Sequence, residues 1–264
     1  MDFGLSEDQL LLEDTVRRFL AKEVPIERVR ELREKPCPND RAIWSALAEL
    51  GVTGVLVPEA QGGSGLALLD AALISQALGR AVTPTPFLAS AVMAPTALAL
   101  LGGSGAEDWL AGIATGDLVF GVAVTELFSV REDAGVSVEA GALHGKAMMA
   151  IDACGADFLL VAIDGDSLAV VRSDAPGLGI TRLKTVDATR CTAEVVFEGV
   201  TTEAVFEGAG DAIAHMLDAG RIALAADALG ACVSMVEQAV AYAKERKQFN
   251  RVIGSFQAVK HMCS

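Results

Sequence analysis

Tyr242-Ala-Lys244-Glu-Arg246-Lys-Gln248-Phe249-Asn-Arg251-Val-Ile253-Gly254-Ser255-Phe256-Gln257 closes one long helical pattern and opens another. Upstream, Ile222, Ala225, Leu229, Val233, Val236, Val240 and Ala243 recur at spacings of three and four, which is one face of a helix. Ala223, Ala226, Ala228, Gly230 and Ala231 surround that face. Small residues let neighbouring helices approach closely, so this helix is expected inside a bundle. Downstream, a further helix is expected from Ser255 to Ser264, carrying Phe256, Val259 and Lys260. Two helices give each other one contact, whereas a bundle usually needs four members, so the C-terminal bundle reads as partial. The cations Arg246, Lys247 and Arg251 suit a solvated helix C-terminus, where the macrodipole favours positive charge.

Before this helix the texture is different. Leu118–Val124 is an apolar strand-like run. Val136–Glu139 and Ala142–Met149 flank a turn at Ala140-Gly141, and Phe158–Ile163 and Ser167–Arg172 flank Asp164-Gly165-Asp166. Asp-Gly between β-branched runs is a strong hairpin signal. Ala193–Val200 reads as a later strand. Short strands without intervening helices indicate an antiparallel sheet or small barrel.

The first part of the chain is helical in pattern. Ser6 with Gln9 has the form of a capping box, followed by Leu12, Val16, Phe19 and Leu20 at helical spacing. Pro36 and Pro38 break the chain, and Asn39 or Asp40 caps a helix with Ile43, Leu47 and Leu50 on one face and Gly51 as its stop. Further helices are expected at about Leu66–Leu78, closed by Gly79, at Phe87–Leu101 and at Ala106–Ala114. The fold class is therefore α+β and multi-domain: a helical domain over 1–117, a β domain over 118–210 and the start of a C-terminal helical bundle over 211–264.

Composition narrows the function. The chain has 264 residues, 52% hydrophobic and 5% aromatic, with a formal charge of −14, a field that opposes binding to nucleic acid or an anionic membrane. Its five cysteines, Cys37, Cys154, Cys191, Cys232 and Cys263, form no CxxC pair and read as free thiols of a reducing cytoplasm. With three scattered histidines, no zinc site is expected. The N-terminus shows no basic segment ahead of an apolar run, so no signal peptide is read there. Gly62-Gly63-Ser64-Gly65 resembles a phosphate cradle only loosely, since no Lys-Ser/Thr follows it.

The order helices, strands, helices resembles the FAD-dependent acyl-CoA dehydrogenase family. Four segments carry the resemblance: Leu50–Glu59 with Gly62–Leu66, Val122–Glu126, Asp187–Arg190 with Ala193–Phe197, and the C-terminal stretch quoted at the outset. The resemblance implies α,β-dehydrogenation of an acyl-CoA thioester, with electrons leaving through FAD to an electron-transfer flavoprotein. It implies that Arg246 and Gln257 hold the FAD of a neighbouring subunit, where the arginine fork pairs with pyrophosphate oxygens. Phe249 is implied to pack on the flavin or its adenine, or equally to be a plain core aromatic. Thr125 is implied to donate to the isoalloxazine ring, and Ser129 to be a substrate hydroxyl donor. A homo- or hetero-tetramer is implied as well.

The chain also departs from the family pattern. Leu127-Phe128-Ser129-Val130-Arg131-Glu132 replaces a Pro and a Gly-Ser-Asp turn, and Lys146–Ala153 lacks the aromatic residue and hydroxyl expected beside a flavin. These features resemble divergent branches of the family whose members act on bulky acyl-CoAs, some as two different subunits together. The catalytic glutamate has no counterpart. In most members it lies beyond the matching end of this chain, and in others at the position of Gly220, with Asp218 two residues away. The alternative reading is thus a non-catalytic or half-site subunit of a hetero-oligomeric dehydrogenase.

Overall fold

The computed structural model describes residues 4–103, 105–124, 134–163 and 166–264. The chain begins with α1 (Glu7–Glu23), α2 (Ile26–Arg33) and α3 (Arg41–Glu49). The capping box forms as expected: the Gln9 N–H donates to Ser6 Oγ at 3.2 Å and the Ser6 N–H to Gln9 Oε1 at 3.1 Å. Asp40 caps α3 through the Ala42 N–H at 3.0 Å. Gly51, with φ 76°, supplies the left-handed stop that a side chain would resist.

Then follow α4 (Leu68–Arg80), a π-helical segment (Phe87–Met93) running into α5 (Ala94–Leu101), and α6 (Ala106–Thr115). Gly79 does not end α4 as the sequence pattern indicated; it lies inside the helix. A Cβ there would stand 2.0 Å from the carbonyl oxygen of Asp227, and one on Gly230 2.0 Å from that of Gln76. The two glycines let α4 and α7 (Gly210–Glu245) cross with their backbones nearly touching. Ser75 Oγ donates to the Ala223 carbonyl at 2.7 Å, and Arg80 pairs with Glu237 further along the same crossing.

The β block is one sheet in the order β6-β7-β3-β1-β4-β5-β8, with β2 also on β3. Its strands are β1 (Phe120–Ala123), β2 (Gly135–Glu139), β3 (Ala142–Ile151), β4 (Phe158–Ile163), β5 (Ser167–Arg172), β6 (Leu178–Arg182), β7 (Thr192–Val200) and β8 (Ala204–Phe206). All pairings in it are antiparallel except β1 with β4, which is parallel. The β2–β3 and β4–β5 hairpins form as the sequence indicated. β6 and β8 are short, half-exposed edge strands without a strong pattern of their own. The central strand β1 is wholly buried, and the Phe120 N–H donates to Ser90 Oγ of the π-helical segment at 3.1 Å. One hydrophobic core runs from Val16 and Trp44 through Phe120 and Leu160 to Met216 and Ala223.

The C-terminal helix departs from expectation in one respect. Its inward face is not the stripe of large apolar residues. Ala212, Met216, Ala219, Gly220, Ala223 and Gly230 face inward, whereas Ile222, Leu229 and Val236 are about half exposed. Backbone-close packing on α4 selects the small residues. This helix is long and apolar enough to cross a membrane by length and composition, yet its N-terminal half is packed in the core by Ile213, Met216 and Ala219.

Candidate functional site

Arg246 stops α7: its N–H donates to the Tyr242 carbonyl at 2.9 Å while its own φ and ψ are extended. The chain then forms a small hairpin that the sequence pattern did not reveal, β9 (Lys247–Gln248) paired with β10 (Arg251–Val252). Its two-residue loop is Phe249-Asn250, with φ of 51° and 61°, the backbone of a type I′ turn. Asn tolerates that conformation; for Phe it is an unfavourable one. Ile253 N–H closes the unit onto the Arg246 carbonyl at 2.8 Å. Gly254 lies against α7, where a Cβ would stand 2.9 Å from the Ala243 carbonyl oxygen.

Arg246, Phe249 and Gln257 lie within this unit, and all three are exposed. Phe249 is 87% exposed and meets the edge of Phe256 with ring centroids 6.2 Å apart. Arg251 stacks its guanidinium 4.0 Å from the Phe256 ring centroid. Gln257 opens α8 (Gln257–Cys263), its Nε2 3.5 Å from His261 Nε2. Exposed Lys244, Arg246, Lys247 and Arg251 give the unit a locally positive surface on a chain of net charge −14. Thr125 and Ser129, with the Leu127–Glu132 turn, lie outside the described residues. Val124, the last described residue before them, is buried at the end of the central strand.

The Gly62–Gly65 loop is not a phosphate cradle. The N–H groups of Gly62, Gly63, Ser64, Gly65 and Leu66 all donate to carbonyls between Gly54 and Glu59, leaving none for a ligand. Gly63 packs so closely that a Cβ would meet the Val57 carbonyl oxygen at 2.1 Å.

Strand β3 carries half-buried Met148 and Met149 at an irregularity in its pairing with β7, between Ala147 and Ala150, with Met149 at φ 58°. Gly220 is buried, and a Cβ on it would stand 3.0 Å from Met93 Sδ. A side chain there would require Met93 to shift by a few tenths of an ångström. Asp218 is exposed and pairs with Arg221 at 2.7 Å, so it takes no part in a buried site. Among the described residues no group of three His, Cys, Asp or Glu is placed to hold a metal ion.

The sequence reading missed a charge cluster beside buried Asp152. Asp152, 3% exposed, sits at φ 53° just after β3 and accepts the Ala89 N–H at 3.3 Å. Burial pushes its carboxyl up to about 7, against the pull of Arg190 and of that N–H. Arg190 joins Asp227 of α7 at 2.6 Å and Asp187 at 3.8 Å. A cavity of about 100 Å³ beside it is lined by Thr83, Thr85, Thr189, Arg190 and Asp227. Arg190 appeared in the sequence only as part of a matching segment; no local pattern tells a half-buried arginine from a surface one.

A helical domain, a mixed sheet and C-terminal helices match the fold of solved acyl-CoA dehydrogenases. A steroid ACAD variant, Tcur3481-Tcur3483, superposes with TM-score 0.85 at 30% identity, over 97% of this chain and 72% of that one. The ChsE4-ChsE5 complex of Mycobacterium tuberculosis gives 0.87 at 25% identity, over 100% and 74%. In sequence, acyl-CoA dehydrogenase IpdE2 of Mycolicibacterium smegmatis is 31% identical over 259 residues, 97% of this chain and 71% of that protein. Family profiles described as the N-terminal and C-terminal domains of acyl-CoA dehydrogenase match residues 6–117 and 207–264. The chain belongs to the acyl-CoA dehydrogenase family, a family of oxidoreductases.

Proposed function

We propose that this chain serves the FAD-dependent α,β-dehydrogenation of an acyl-CoA thioester, as one subunit of a cytoplasmic homo- or hetero-tetramer that passes electrons to an electron-transfer flavoprotein. The observation that carries the reading is the outward-facing unit from Arg246 to Gln257. Its side chains are exposed and flank a left-handed two-residue turn, an arrangement suited to residues that serve a neighbouring subunit.

The donor set of that unit fits FAD at its pyrophosphate. Arg246 offers a bidentate fork, Gln257 an amide and Phe249 an aromatic face. Bound FAD would supply the acceptor for the substrate's β-hydride. Thr125 and Ser129 keep their proposed roles toward the flavin ring and the substrate. β3 would meet the flavin through its backbone and two methionines rather than through an aromatic side chain and a hydroxyl.

A second reading, the half-site subunit, is favoured by Gly220. Glycine carries no carboxylate at a position where some members keep their base, and a Cβ there would stand 3.0 Å from the Met93 side chain. In this reading the proton is removed by a glutamate of another segment or subunit. The visible spectrum of the purified chain with its intact mass, followed by acyl-CoA turnover with an artificial electron acceptor, tests both. A flavin spectrum with turnover supports the first reading and removes the second. A colourless chain that gains flavin and turnover only with a partner supports the second. A chain that stays colourless with excess FAD and every dehydrogenase-like partner refutes both.

A further inference from the structure

A cavity of about 180 Å³ lies where the start of α3 meets the sheet, lined by Cys37, Asn39, Trp44, Pro86, Val119 and Gly155 among others. Two of these residues carry buried polar atoms with no hydrogen-bond partner among the described residues: Oδ1 and Nδ2 of Asn39, and Nε1 of Trp44. Trp44 is 1% exposed. Native folds rarely leave such atoms unpaired, because a buried donor or acceptor gives up its water for nothing. The sequence left Asn39 and Asp40 as alternative caps of α3. The structure gives the cap to Asp40 and leaves the Asn39 carboxamide without a partner in its own fold. The charged residues of the same wall are already paired. Asp40 meets Arg28 at 2.6 Å, and Arg41 Nη2 donates to Asp157 at 2.8 Å and to the Gly155 carbonyl at 3.2 Å. Cys37 Sγ donates to the Cys154 carbonyl at 3.1 Å.

We propose that this cavity binds a small neutral ligand, a primary carboxamide carried on a flat apolar ring. The charge follows from what is left over on the wall. An anion would find no unpaired cation there, and a cation no unpaired carboxylate. The amide follows from Asn39, whose side chain offers one acceptor oxygen and one donor nitrogen side by side. Another carboxamide answers both at once, with two parallel hydrogen bonds. Trp44 adds a donor and no acceptor, which also favours a ligand with a carbonyl.

Size and lining give the ring. An apolar cavity of about 150 Å³ is enough to hold benzene, so this one takes a six-membered ring with a small substituent. Pro86, Val119 and the Trp44 indole supply apolar wall for it. Water alone fits less well. The space would take about six molecules, more than the three unpaired atoms can anchor. Arg41 and Gly155 are exposed, so the cavity opens where their hydrogen bond joins α3 to the turn before β4. A ligand here would touch α3 at Trp44, the cap of the π-helical segment at Pro86, and the lead into the central strand at Val119. Its binding would brace these three elements against one another.

The test uses the full chain with benzamide as the probe. N,N-dimethylbenzamide is the control, since it keeps the ring and the carbonyl but cannot donate. In the nitrogen-15-labelled chain only Trp44 and Trp109 give indole N–H signals, and Trp44→Phe assigns them. Benzamide should shift the Trp44 signal saturably and bind about tenfold or more tighter than the dimethyl amide. It should also slow alkylation of half-buried Cys37, read by peptide mass mapping, and leave that of exposed Cys232 unchanged. Asn39→Leu is close in shape and has no hydrogen-bonding atoms. It should bind benzamide about tenfold or more weakly while melting no lower than wild type. Equal binding of the two amides, a shift that does not saturate, or a Cys37 rate indifferent to benzamide overturns the proposal. The wild-type comparison of the two amides and the alkylation rates need no variant, so a folding failure cannot hide the answer.

Discussion

The two ends of α7 follow opposite rules. Around Ala223 and Gly230 the helix is pressed onto α4 so tightly that neither Gly79 nor Gly230 has space for a methyl group. Beyond Cys232 the same helix shows Met235, Val236 and Tyr242 at least half exposed and ends in a hairpin with an outward phenyl ring. At the first end the inward small residues are explained by contacts inside the chain. At the second, Met235, Val236 and Tyr242 are exposed, Arg251 and Phe249 meet Phe256 at the surface, and a left-handed Phe is retained at a turn where Gly or Asn would be easier. The first end is specified by folding; the second carries side chains whose value lies outside this chain's own core.

The comparison breaks first at the crossing. Gly230→Val should destabilise by about 3 kcal/mol or more, because the branched side chain has to push apart two backbones. Helix propensity alone favours the opposite outcome, since Gly is about 1 kcal/mol worse than Ala in a helix interior. Urea unfolding decides: an unchanged or raised midpoint would mean that α4 and α7 do not cross there.

The next effect is pH-dependent. Asp152 has its folded pKa raised to about 7, above its ordinary carboxylate value. Between that value and about 7 the folded state holds a proton that the unfolded state has released. Wild-type stability thus falls as pH rises through this window and levels off above it. Asp152→Asn removes the dependence, and should gain roughly 2–4 kcal/mol on wild type between pH 4.5 and pH 8. Paired urea melts at those two pH values cancel the other groups. A difference that does not change with pH would place Asp152 in water.

What was legible follows from the range of the signals. The Ser6–Gln9 box, the Asp40 cap and the β2–β3 hairpin are local: a few residues decide them, and all appear as read. Gly79 was misread because a glycine ending a helix and one admitting a second helix look alike until the partner, Asp227, is known. The inward face of α7 was misread for a similar reason. Hydrophobicity marks Ile222, Leu229 and Val236 as buried, but a close crossing selects for smallness rather than apolarity. Arg246, Phe249 and Gln257 were singled out through resemblance, and the hairpin that unites them was hidden in a stretch with no strand pattern. The Asp152–Arg190–Asp227 cluster joins residues 38 and 37 positions apart, beyond any local periodicity.

A smaller effect is expected at the exposed end of the crossing. The Arg80–Glu237 pair is partly in water, so Arg80→Ala should cost about 0.5–1 kcal/mol in urea melts at low salt, and less at high salt. A loss as large as that of Gly230→Val would extend the tightly packed region further along α7 than its exposed residues indicate.

The smallest effect on stability sharpens the comparison most. Phe249 has little contact to lose, and its left-handed backbone costs about 1 kcal/mol relative to Gly. Phe249→Gly should therefore leave the isolated chain as stable as before, or more stable by up to about 1 kcal/mol. If the ring serves a neighbouring subunit, the same substitution should weaken flavin retention or subunit association, read by gel filtration with absorbance at 450 nm. The two readouts then move in opposite directions. A residue that served its own fold would lower both, and a ring with no role would change neither.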